Sequence, residues 1–181
     1  NQSGGVFDVQ GDVILDHYSG DYLTFTNAGT FLRSSGTGTA TVEGIFNNTG
    51  TLNVQTGTVK LTNGGGTSSG QTTTVASGAT LEFGGGTHTF SSGLTVANGT
   101  VKVSSGTMRM NGSSSLPAVV VTDGTLSANA ATTAQTVTLS GGYQAGTSSL
   151  TVNGSMSWTG GYLAGTGSTV IASGATLSIS G

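Results

Sequence analysis

Few residues in this 181-residue chain are equipped for chemistry: two histidines, His17 and His88, and four aspartates near its start, Asp8, Asp12, Asp16 and Asp21. Acid–base catalysis needs titratable groups held together around a reacting atom. His17 and His88 are far apart in sequence, and there is no cysteine to act as nucleophile or thiolate ligand. His88 occupies the slot that Val59 and Met108 fill in neighbouring repeats, so it reads as a corner or core histidine bonded to backbone. Hard cations such as Ca²⁺ collect several oxygen ligands, which makes Asp8, Asp12, Asp16 and Asp21 the calcium candidates. The glycine-rich loop of calcium-binding β-rolls is missing, because Gly4-Gly5-Val6-Phe7-Asp8 lacks its second glycine position; a solvated acidic edge is the competing reading. From Ala28 onward the only carboxylates are Glu43, Glu82 and Asp123, on different repeats. No catalytic residue and no cofactor is therefore expected apart from calcium, and the chain reads as non-enzymatic. Tyr143 and Tyr162 are the candidates for binding a surface or a glycan.

The composition narrows the elements that must carry these groups. The chain has 33 Gly, 1 Pro, 6% charged residues and 34% hydrophobic residues, with a formal net charge of −3. Disorder usually combines low hydrophobicity with high charge, and here the polarity is Ser, Thr, Asn and Gly instead. The four cations, Arg33, Lys60, Lys102 and Arg109, are scattered, which argues against nucleic-acid binding. No apolar run is long enough to span a membrane. Sequons at Asn1, Asn47, Asn98, Asn111 and Asn153 are mostly explained by Asn-Gly turns followed by Ser or Thr.

A short phrase recurs: a turn ending in Thr or Ser, an alternating strand, and the same phrase seven residues on. Thr80-Leu81-Glu82-Phe83 precedes Thr87-His88-Thr89-Phe90, and Thr100-Val101-Lys102-Val103 precedes Thr107-Met108-Arg109-Met110. Strands this short gain stability by stacking on the same strand of successive coils. Taking Thr30, Thr51, Thr80, Thr100, Thr125, Ser155 and Thr176 as coil markers gives steps of 21, 29, 20, 25, 30 and 21 residues. The expected fold is an all-β, single-stranded parallel β-helix of roughly triangular section, about 20 residues per bare coil. Loops are expected in the longer steps, at 63–71, 111–118 and 128–135. Glu82 and Lys102 should form a ladder pair, with Asn53 before and Ser127 after. Thr-x-Thr pairs are also a feature of ice-binding solenoids, but Lys, Arg and Glu break the column here.

Ser140-Gly141-Gly142-Tyr143 returns as Thr159-Gly160-Gly161-Tyr162 nineteen residues later, which stacks Tyr143 on Tyr162 and Leu139 on Trp158. Trp158 is expected inward, as the widest core plug. Residues 1–181 read as a single domain, with 1–25 an irregular first coil, cap or interface and 26–181 regular coils. The whole reads as a segment or subunit of a longer assembly.

Phe46-Asn47-Asn48-Thr49-Gly50-Thr51-Leu52, Ala76-Ser77-Gly78-Ala79-Thr80-Leu81 and Trp158-Thr159-Gly160-Gly161 resemble the degenerate repeats of filamentous-haemagglutinin-like adhesins and autotransporter passengers. The resemblance runs from about Phe25 onward. It implies a right-handed parallel β-helix at the bacterial cell surface or beyond.

The function expected is mechanical and adhesive: a rod, filament subunit or stalk. Thr176, Leu177, Ser178 and Ile179 form a strand without a polar cap, so another coil, from the same long chain or a second copy, is expected to stack on it head-to-tail. Glycans or other cell surfaces are the alternative partners, through a lateral strip that includes Tyr143 and Tyr162. A polysaccharide-acting enzyme is a more distant reading.

Overall fold

The computed structural model describes residues 1–16, 23–64 and 66–181; His17 and Asp21 lie outside them. The described residues contain strands and no helix. The first strands are β1 (Val6–Val9), β2 (Ile14–Leu15), β3 (Leu23–Asn27), β4 (Thr30–Arg33), β5 (Thr39–Asn48) and β6 (Thr51–Val54). There follow β7 (Thr58–Asn63), β8 (Thr67–Ser68), β9 (Thr72–Val75), β10 (Thr80–Phe90), β11 (Thr100–Met110) and β12 (Ser114–Val121). The last are β13 (Thr125–Ala128), β14 (Thr132–Gly146), β15 (Leu150–Leu163), β16 (Thr169–Ile171) and β17 (Thr176–Ile179). Gly and β-branched Thr and Val are poor helix formers, and Thr and Val suit a pleated, half-buried surface.

Among the described residues every strand pairing is parallel, and each joins one coil to the next, so the chain is a β-solenoid. Three faces run along its axis. The first carries β1, β4, β6 and β9, then the Thr95–Ser115 bridge, the openings of β12, β14 and β15, and β16. The second carries β2, the openings of β5, β10 and β11, all of β7, the later half of β12, the middles of β14 and β15, and β17. The third carries β3, β8, β13 and the ends of β5, β10, β11, β14 and β15. At about 4.8 Å per coil the stack is roughly 40 Å long.

On the second face Thr80 pairs with Thr100, Thr100 with Ala118 and Ala118 with Thr136, steps of 20, 18 and 18 residues. The coils are thus more even than the sequence markers imply. Thr30 and Thr51 open strands on the first face, Thr80, Thr100, Ser155 and Thr176 on the second, and Thr125 on the third. The steps of 29, 25 and 30 residues arise from changing faces. Residues 111–118 are not a loop, since β12 begins at Ser114, and β14 begins at Thr132 inside the segment 128–135. The markers mislead because corners onto different faces use the same chemistry, a glycine or small residue followed by Thr or Ser.

The interior is built from vertical columns of small apolar side chains. Val59, Leu81, Val101, Val119, Val137 and Met156 form one, and Leu61, Phe83, Val103, Val121 and Leu139 form its neighbour, all buried. Burying each contributes about 1.5–3 kcal/mol relative to exposure. Trp158 continues the second column but is only partly buried, because Ile179, its register partner in the outermost coil, is itself 66% exposed. The phenylalanine rings buried in the core are instead Phe31, Phe46, Phe83 and Phe90. Phe7, Phe25, Phe31 and Phe46 cluster in the first coils with ring centroids 5.0–5.7 Å apart.

The repeat is plainest where backbone demands it most. Gly142 and Gly161 turn the corner from the second to the third face with φ of 66° and 77°. A Cβ on Gly142 would lie 2.2 Å from the Gly124 carbonyl oxygen of the coil before, so both the angle and the close approach call for glycine.

Candidate functional site

The strongest polar features are ladders that run along the axis. Asn27 is fully buried and donates from Nδ2 to Asn48 Oδ1 at 2.8 Å and to the Thr51 carbonyl at 2.9 Å. Its own Oδ1 accepts from Asn1 Nδ2 at 2.8 Å, and Asn1 also donates to the Thr30 carbonyl at 2.9 Å. Each amide thus repeats the bonds of the amide one coil away, joining coils inside the bore. Ser68 succeeds Asn48 in this column, and Phe90 succeeds Ser68. The sequence signal was present, since Asn27-Ala28-Gly29-Thr30 returns as Asn48-Thr49-Gly50-Thr51.

A charged ladder crosses the second face. Glu82 lies between Lys60 and Lys102 in register, with Nζ···O distances of 3.2 and 3.3 Å, and accepts from Ser104 Oγ at 2.6 Å. The Glu82–Lys102 pair is the expected one. Its flanking positions are Lys60 and Val120, not Asn53 and Ser127, which stand on the first and third faces. Desolvation pushes the Glu82 carboxyl up, but the Ser104 hydroxyl and the two lysines outweigh it and hold it below its ordinary value.

Beside this ladder Thr39, Thr58, Thr80, Thr100, Ala118, Thr136, Ser155 and Thr176 form a column with no charge in it. Lys60, Glu82 and Lys102, which interrupt the Thr-x-Thr pattern on this face, stand in the neighbouring column, whereas Arg109 stands on the third face and Arg33 on the first.

Arg33 points into the bore beside Phe31 and is fully buried. Its guanidinium donates to the Asp12 carboxylate and to the Gly11 carbonyl, while Nε has no partner. Nothing in the local sequence marks this arginine as inward except its place in the alternation Phe31-Leu32-Arg33. Asp12 also accepts from the Gly38 amide at 3.1 and 3.2 Å. Asp8 accepts from Ser34 Oγ at 2.6 Å and Gln10 Nε2 at 2.7 Å, and these bonds, Ser34 first, hold its carboxyl below its ordinary value. Of the calcium candidates, Asp8 and Asp12 are thus engaged by the protein, Asp16 is described, and Asp21 lies outside the described residues. Among the described residues no three His, Asp or Glu side chains gather where they could hold a metal ion.

His88 is buried against Phe83, ring centroids 5.1 Å apart, with Nε2 3.1 Å from the Gly85 carbonyl oxygen. Burial pushes its pKa down to about 4, against the weaker upward pull of the Gly85 bond, so the ring is neutral and donates from Nε2. It stacks on Met108 as expected, but Val59 belongs to another face.

Tyr143 and Tyr162 are in register and stacked, with ring centroids 5.3 Å apart and planes 22° apart. They are 46% and 64% exposed. Each ring spends one face on the other.

At the outer end, β16 and β17 each pair only with β15. Leu177 and Ile179 continue the inward columns of Met156 and Trp158 yet stay exposed, as does Leu163 above Gln144. Thr176 and Ser178 complete a strand in which every residue is exposed. The arrangement is a stack of ladders with an apolar cross-section at one end. No described helix is long and apolar enough to cross a membrane. Comparison with family models, curated proteins and solved structures finds no match. The class that the fold defines is the β-solenoid.

Proposed function

We propose that this chain is a stiff structural and adhesive rod, a filament unit or stalk acting at the cell surface or outside the cell. Each end of the rod meets a further coil, from an adjoining repeat or from a second copy. The carrying observation is the strand Thr176–Ile179, paired on one side only, with Leu177 and Ile179 exposed where inward columns continue. Natural proteins cover such edges, and a head-to-tail contact of this kind propagates into fibres. The surface location rests on the resemblance of the repeats to those of bacterial adhesins.

Electron microscopy and sedimentation of the wild type beside a Leu177→Asp, Ile179→Asp variant test the contact between copies. Wild-type particles lengthen with concentration in steps of one rod, and the variant stays at one length with its melting unchanged. Wild type at a single length under all concentrations overturns stacking between copies.

A second reading is a lateral strip for glycans or a host surface, favoured by the exposure of Tyr143 and Tyr162. Their mutual stacking supports axial cohesion at the expense of ring faces that a ligand would cover.

A further inference from the structure

The corner between the first and second faces changes width along the rod. It spans residues 76–79 after β9, 97–99 in the next coil, Pro117 alone within β12 and Gln135 alone within β14. It then widens to 153–154 and to 172–175. The ridge is therefore notched at the Pro117 and Gln135 coils, and the recess has a volume of about 480 Å³. The recess is largely open to solvent, and its volume lies within the range of small-ligand sites, about 300–1,000 Å³.

The chemistry of the lining is specific. The lining combines the amide residues Asn98 and Gln135 and the hydroxyl residues Ser77, Ser115 and Thr136 with apolar residues that include Pro117. No charged residue lines it. Asn98 and Gln135 are exposed, and neither side chain makes a hydrogen bond within the described protein. Each amide offers both donors and an acceptor. Phosphate and carboxylate ligands would want cations, and there are none here. An extended peptide would want a free strand edge, and along the sides of the rod the backbone is spent on the axial ladders. A neutral polyhydroxylated ring has the matching chemistry: hydroxyls for the two amides and a C–H face for the proline.

We propose that this notch is a binding site for neutral saccharides, with Asn98 and Gln135 as its hydrogen-bonding residues and Pro117 as its apolar contact. It is separate from the tyrosine pair and does not rest on the rod reading, since coils stack the same way with the site empty or filled.

The test is amide-resolved NMR of the full chain titrated with cellobiose, lactose and chitobiose. Shifts are expected to saturate at Ser77, Asn98, Gly99, Ser115, Gln135 and Thr136, including the side-chain NH₂ signals of Asn98 and Gln135. Asn98→Ala and Gln135→Ala should each weaken binding about fivefold, the worth of one neutral hydrogen bond. Both side chains are exposed, so the variants should keep the wild-type spectrum elsewhere. Absence of shifts with all three sugars overturns the proposal. So does saturation confined to Tyr143 and Tyr162, or binding that ignores both substitutions.

Discussion

Replacing His88 by Met should remove a specific acid sensitivity of the fold. The ring is buried in the bore, touches Phe83, and gives its Nε2 proton to the Gly85 carbonyl. Its folded-state pKa is about 4, against an ordinary value of 6.5. In the unfolded chain His88 takes up a proton near pH 6.5, whereas the folded chain resists until about pH 4. The unfolded state therefore binds more protons in that window, and stability falls as the pH falls through it. The contribution is fully present above pH 6.5 and lost by pH 4. A shift of this size corresponds to roughly 3 kcal/mol. Methionine already fills the same column one coil on, at Met108, so His88→Met should fold with near-wild-type stability at neutral pH. Denaturant unfolding at a series of pH values, with the His88 ring titrated by NMR, measures both quantities. The wild type should lose stability between pH 6.5 and 4 and the variant should lose about 3 kcal/mol less. Parallel pH profiles, or a ring that titrates near 6.5 in the folded protein, would refute the reasoning.

Two further substitutions probe the ladders. Asn27→Ala removes three hydrogen bonds, one buried and two part-buried, at a cost of about 3 kcal/mol. Thermal unfolding reads the loss, and hydrogen exchange should place it at the amides of the first coils; a change below about 0.5 kcal/mol would remove the ladder's claim to hold coils together. Glu82→Ala should cost about 2–3 kcal/mol, most of it from the Ser104 bond to a charged acceptor and less from the two half-exposed lysines. Because its carboxyl is held below the ordinary value, the Glu82 contribution is present above about pH 4.3 and fades as the pH falls through the lower folded-state value. High salt should shrink only the lysine share, and an Ala variant as stable as wild type at neutral pH contradicts the assignment.

The sequence was most legible where one side chain repeats in one column. Tyr143 over Tyr162, Leu139 over Trp158 and Glu82 beside Lys102 all follow from aligning phrases about twenty residues apart. It was least legible where a position departs from its column. Arg33 occupies an inward slot between Val9 and Val54, and its charge argues for the surface until the Asp12 carboxylate and Gly11 carbonyl come into view. Thr125 was misplaced because the corner before the third face looks like the corners before the other two. Trp158 is large and apolar, yet its burial depends on what covers the outermost coil, which alternation along a strand does not encode. The notch at Pro117 was hidden for the same reason: it is the difference between corners of neighbouring coils, visible only when their register is known.

That difference also indicates where a solenoid of this kind carries its function. Each coil contacts chiefly its neighbours, so stability is close to a sum of local terms. The ladders on the faces fix register, and they tolerate corners as short as Pro117 and as long as 172–175 without losing it. A face cannot change much, because its inward half is core and its backbone is bonded on both sides. A corner can gain, lose or exchange residues at little cost to the ladders. Only 6% of the residues are charged, and the positions free to vary in this solenoid lie at its corners and ends. The outer end leaves Leu177 and Ile179 exposed, and the notched corner leaves the side-chain amides of Asn98 and Gln135 without hydrogen-bond partners in the described protein.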